Sequence, residues 1–121
     1  IPTYPNALSI NNTIFHIENA ITPQEKEKGL MYRLHLPKNN GMLFHFKTAQ
    51  IIPIWMKNTM IPLDIIWLNK QLEIIALYPN ATPFKHKIIL PPKKANYVLE
   101  VNSGIIKKFN LTKGAYIFPL Y

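Results

Sequence analysis

Polar and apolar residues interleave over Ile14–Asn19, with Ile14, His16 and Glu18 on one parity and Phe15, Ile17 and Asn19 on the other, which predicts a first strand. Ahead of it, Ile1–Ser9 carries Pro2 and Pro5 and reads as irregular, so residues 1–13 are expected to be a lead-in and 14–121 a single globular domain. Thr22-Pro23-Gln24-Glu25 is a helix start: Thr22 can cap free amides, Pro23 suits the first helical position, and Glu25 completes a capping box. The helix is expected to reach Met31 or Tyr32, with Gly29 a weak point or an early stop. Strands follow over Met42–Phe46, Ile51–Lys57, Leu63–Leu68, Leu72–Tyr78, Tyr97–Val101 and Tyr116–Leu120. Leu63–Leu68 is apolar on both parities except at Asp64, the pattern of a central strand covered on both faces. Pro79–Pro92 is a proline-rich excursion holding the basic patch Lys85-His86-Lys87, and Ser103 caps a short second helix through Phe109. The expected fold class is α+β and strand-dominated: a small, mostly antiparallel, barrel-like sheet with two short helices.

The bulk composition narrows the function classes. With 121 residues, 48% of them hydrophobic and 17% charged, the chain is globular and fits one core. No apolar run approaches the roughly 20 residues that span a bilayer. Zero Cys excludes disulfides, thiol nucleophiles and Cys-type metal clusters. The net charge of +8 invites a nucleic-acid reading, but the lysines are scattered and Arg33 is the single arginine, which argues against specific nucleic-acid binding. His16, His35, His45 and His86 lack any metal-ligand spacing, and no phosphate-cradling glycine loop or nucleophile elbow occurs, so neither a metal nor a cofactor is expected.

Four segments carry a family resemblance: Gly29-Leu30-Met31-Tyr32-Arg33, Gly41-Met42-Leu43-Phe44-His45-Phe46, Trp55–Asp64 and Val98–Gly104. In this order they resemble the uncharacterised domain-of-unknown-function 192 family, over about Ile14 to Ile117. The resemblance implies a compact, strand-rich domain, often exported, and no established activity. Two departures stand out: Gly114-Ala115 replaces the family's Gly-Asp in the last turn, and Ser103 stands where Ala is usual. The chain begins at Ile1 rather than Met, so an upstream segment removed by processing or by design is expected. With the resemblance, this points to an exported, periplasmic protein that has lost a signal peptide.

Candidate chemistry concentrates in Trp55–Asp64. Asp64, the only Asp, is expected to be half-buried on a face with Ile66 and Leu68. Its functional role would be general base or ligand-fixing acceptor. The structural alternative, which is favoured, ties down the Asn58–Ile61 turn or pairs with Lys57 or Arg33. Arg33 can fork onto Asp64, Glu100 or an anionic ligand. Lys57, Asn58 and Thr59 line a pocket mouth or serve as turn chemistry; Trp55 and Trp67 stack on a ligand or fill the core. Glu100 is a polar-face residue or partners Asp64 as a second carboxylate.

The candidate ligand-binding set is therefore Arg33, Trp55, Lys57, Asn58, Thr59, Asp64 and Glu100. The leading expectation is an accessory binding domain for an anionic small molecule or cell-envelope glycan group. A small hydrolase using Asp64 and Glu100, and a purely structural or interaction module, are the alternatives. The pattern assigns no oligomeric state.

Overall fold

Leu63–Leu68 forms the strand that the whole domain is built around, buried at all six positions because sheet and loops cover both of its faces. The computed structural model describes Tyr4–Tyr121. In chain order its elements are β1 (Ala7–Ile10), β2 (Thr13–Ala20), α1 (Pro23–Lys28), β3 (Asn40–Gln50), β4 (Leu63–Leu68), β5 (Ile74–Ala81), β6 (Ala95–Asn102), α2 (Ile105–Lys108) and β7 (Phe118–Leu120). They make one seven-stranded sheet in the order β5-β4-β6-β3-β2-β1-β7, antiparallel throughout except for the β2–β3 pair. The strand-dominated α+β class is as the pattern predicts.

Alternation along β3, β4 and β6 separates two apolar clusters. Phe44, Ile65, Trp67 and Val98 belong to one, and Leu43, Ile66, Leu99 and Val101 to the other. Fully burying a side chain of this size contributes about 1.5–3 kcal/mol, so the two clusters hold the sheet from both sides. The sheet does not close into a hydrogen-bonded ring. Its two edges are instead linked at one end by the C-terminal segment. Ile74 donates to Ala115 O at 2.8 Å and Ile117 to Leu72 O at 3.0 Å, after which β7 pairs with β1. The result is a curled, barrel-like sheet left open along most of one side.

Several boundaries differ from expectation, each for a local reason. The Ile1–Thr3 part of the lead-in lies outside the described residues, but Ala7–Ile10 is a paired strand, since β2 and β7 flank it. Ile51–Lys57 is not a strand: Pro53 lacks a donor, and the segment keeps a single bridge, Ile54 to Ile89. Helix α1 has the full capping box at Thr22 and stops at Lys28, where Gly29 turns at φ +48°. An added Cβ there would meet the Phe44 ring at 3.2 Å. Strand β5 continues through Pro79 to Ala81, so the excursion starts later than predicted. Ser103 caps nothing; Gly104, in the left-handed region, is the N-cap of α2.

Candidate functional site

Two carboxylates on neighbouring strands define the interior. In the β4–β6 register Asp64 lies opposite Val101 and Ile65 opposite Glu100. Directly opposed residues share a face, so Asp64 and Glu100 project to opposite sides of the sheet. They cannot form the acid–base pair that a two-carboxylate hydrolase requires.

Asp64 is fully buried rather than half-buried. One carboxylate oxygen accepts from the Asn80 amide at 2.9 Å; the other accepts from the Gly104 and Ile106 amides at 3.1 and 2.8 Å. Asn80 stands at φ +57°, and the Ser103 hydroxyl bonds its side-chain oxygen, so the end of β5 and the start of α2 meet at this one carboxylate. Neither the Asn58–Ile61 turn nor Lys57 nor Arg33 is its partner. The carboxylate ties down backbone amides, as the structural alternative expects, but they are those of Asn80, Gly104 and Ile106.

Glu100 is the opposite case. It is 6% exposed, and burial pushes its carboxyl up to about 7, with no hydrogen bond or nearby charge among the described residues opposing the shift. Met42 and Ile65 lie opposite it on the flanking strands. Gly41 makes the close strand approach possible, since a Cβ there would come within 2.8 Å of the Glu100 carbonyl oxygen. The carboxyl borders a cavity of about 190 Å³ between α1, the Gly29–Met31 turn and the Ile52–Thr59 loop. Phe44, Phe46 and Ile52 give it apolar walls, and Thr59 and Trp55 complete the side toward the loop. Lys26 forms part of the wall; its ammonium donates to His45 O at 2.9 Å and lies 4.2 Å from the Phe46 ring centroid.

An outer groove shares Glu27, Lys28, Met31 and Trp55 with this cavity and adds Tyr32, Lys57 and Asn58. Trp55 is 40% exposed, with the Lys57 ammonium 5.0 Å from its ring, while Trp67 is core, its indole N–H donating to Ile52 O at 3.0 Å. Asn58, at φ +55°, accepts from the Tyr32 amide through its carbonyl and donates to the Tyr32 hydroxyl, both at 2.9 Å. Thr59 donates to Lys57 O at 3.2 Å. The polar turn is thus both turn chemistry and pocket wall.

Five of the seven sequence candidates therefore converge: Trp55, Thr59 and Glu100 in the cavity, Lys57 and Asn58 in the groove. Two do not. Asp64 faces the other cluster, and Arg33 makes a forked pair with Glu18, at 2.5 and 2.8 Å, rather than with Asp64 or Glu100. That pair lowers Glu18 and raises Arg33 from their ordinary values. Sequence reasoning missed Phe44, Phe46, Ile52 and the Lys26–Met31 wall, although Gly29–Arg33 and Gly41–Phe46 were already singled out as motifs. Among the described residues no three His, Asp or Glu side chains group to hold a metal ion, and no helix is long and apolar enough to cross a membrane.

A curled sheet with a walled cavity over one carboxylate is the class of domain this geometry defines. The family model of the domain-of-unknown-function 192 family, described as "Uncharacterized ACR", matches residues 6–118, and the chain belongs to that family. It is similar to a proposed transcription regulator from Sinorhizobium meliloti 1021, with TM-score 0.86 and 34% identity, covering 88% of this chain and 83% of that one. It is also similar to a protein of unknown function from Novosphingobium aromaticivorans DSM 12444, with TM-score 0.86 and 30% identity, covering 92% and 82%. No curated protein matches.

Proposed function

We propose that the cavity binds a small hydroxyl-bearing ligand with an acidic substituent, such as a uronic acid unit of a cell-envelope glycan or a comparable anionic small molecule. The observation that carries this reading is Glu100: a carboxyl nine-tenths buried, unpaired, and bordering open space. Such a group gains a hydrogen bond when a ligand hydroxyl arrives, and with a pKa of about 7 it can donate or accept near neutral pH. Trp55 offers a partly exposed ring face for stacking. Lys28 and Lys57 in the outer groove suit the acidic substituent, opposed there by Glu27. All four resemblance segments contribute to the wall, through Gly29–Met31, Phe44 and Phe46, Trp55 and Thr59, and Glu100. An extracytoplasmic location belongs to the same reading and rests on the family resemblance; fractionating cells that express the full gene tests it.

The binding test is an amide-resolved NMR titration with glucuronic acid, glucose and inorganic phosphate. Glucuronic acid should shift Gly29–Met31, Thr59 and the Trp55 indole, more strongly than glucose, and the effect should weaken as salt screens the exposed lysines. Glu100→Gln and Trp55→Ala should each reduce affinity several-fold. Shifts confined to Lys85–Lys87 or Lys93–Lys94 would show that bulk positive charge alone is sensed, and would remove the ligand site.

A further inference from the structure

The basic patch singled out in the sequence plays no part in the cavity's chemistry, and the structure gives it an apolar companion. Between Glu73 and Glu100 the chain has no acidic residue, while Lys85, Lys87, Lys93 and Lys94 all lie there and are exposed. Within the same loop Phe84, Ile88 and Leu90 are 58%, 54% and 63% exposed. This is not a disordered excursion. Phe84 donates to Thr59 O at 3.1 Å, the Met56 amide to Lys85 O at 3.0 Å, and Ile54 and Ile89 exchange both bonds at 3.0 and 2.7 Å. That bridge turns Ile89 toward the core cluster, so alternation sends its neighbours Ile88 and Leu90 outward. The ring of Trp55 lies 6.0 Å from that of His86, which extends the apolar surface toward the cavity mouth.

We propose that the Phe84–Leu90 loop docks the domain on an anionic bilayer surface, with Phe84, Ile88 and Leu90 entering the headgroup region and Lys85 and Lys87 pairing with lipid phosphates. Charge complementarity selects this occupant: apolar side chains interleaved with lysines, and no carboxylate in the segment, match an interface that is apolar below and negative above. A protein-facing patch would be expected to exclude lysine from its centre, since interface cores are depleted in it. The proposal does not depend on the ligand reading, because the side chains it places at the bilayer, Phe84, Lys85, Lys87, Ile88 and Leu90, do not border the cavity; Trp55, which does, serves only as the reporter.

Co-sedimentation with phosphatidylcholine vesicles, with and without phosphatidylglycerol, tests it. Binding should require the anionic lipid, weaken with salt, and shift Trp55 fluorescence to the blue. Each lysine near an anionic surface is worth roughly a fivefold change in partitioning, so Lys85→Gln/Lys87→Gln should lower binding about thirtyfold. Ile88→Ser/Leu90→Ser should lower it several-fold. Both variants alter exposed side chains and should keep the wild-type melting temperature. Lys107→Gln/Lys108→Gln, on α2, should leave binding unchanged. The proposal falls if no vesicle binding occurs, or if the α2 variant loses as much as the loop variant. It also falls if the serine variant binds normally, which would mark a surface for free polyanions such as nucleic acid. Loss of self-association without loss of vesicle binding in that variant would instead assign the patch to a second copy of the chain.

Discussion

Asp64 and Glu100 lie on adjacent strands, one residue out of register, and both are almost removed from water. Asp64 receives three backbone amides, while nothing offsets the burial of Glu100. One face of the sheet thus spends its carboxylate on holding elements together, and the other leaves its carboxyl free beside a cavity. A buried carboxylate with three donors is a structural anchor. One without donors costs stability, and the proposed ligand would supply the hydrogen bond that this carboxyl lacks.

The anchor side should give the largest effect. Asp64→Ala leaves the Asn80, Gly104 and Ile106 amides without their acceptor and should destabilise the domain by about 3 kcal/mol or more; Asp64→Asn should cost about 1–3 kcal/mol. Chemical denaturation of both variants checks this. A variant as stable as the wild type would show that water replaces the carboxylate, and the contrast between the two faces would disappear.

The cavity side should respond with the opposite sign. The Glu100 carboxyl titrates near 7 when folded and near 4.5 when unfolded. Between those values the folded state keeps a proton that the unfolded state has released. Stability is therefore lost as pH rises through this window. Glu100→Gln removes that penalty and should stabilise the domain at pH 8 by on the order of 2–3 kcal/mol, with little effect at pH 4. His45 works the other way: burial first, and then Lys26, lower it to about 4, so folding favours its neutral form and stability falls as pH drops below 6.5. The two groups offset each other in wild type. The Gln variant should unmask a stability that rises with pH between about 4.5 and 6.5, read from melts across that range.

Legibility in the sequence followed the same division. Local signals read well: the Thr22–Glu25 box, the covered strand around Asp64 and the parity that sets Glu100 against Leu99 and Val101 all describe neighbours in the chain. Partners did not read, because register across strands decides them. Nothing local says that Asp64 faces the amides of Asn80 and Gly104, or that Arg33 meets Glu18. The Ile51–Lys57 segment failed for a related reason. Its apolar residues satisfy a strand pattern, yet its hydrogen bonds go to Lys85, Ile89 and the Trp67 indole instead of a ladder. The cavity combines turn, strand and loop residues from four separate segments, which no periodicity can assemble.

The smallest expected effect concerns Arg33, whose rarity made it look special. Its fork onto Glu18 has good geometry, but the two side chains are 34% and 52% exposed, and exposed ion pairs contribute only about 0–1 kcal/mol. Arg33→Gln should therefore change stability by less than about 1 kcal/mol, with most of the difference gone at high salt. It should also leave the glucuronic acid titration unchanged, because Arg33 borders neither the cavity nor the outer groove. A variant that bound the acidic fragment much more weakly, at unaltered stability, would mean that the Glu18 pair opens when ligand arrives. The site would then reach past Tyr32 to the single arginine of the chain, and the division between a structural face and a binding face would no longer follow the sheet.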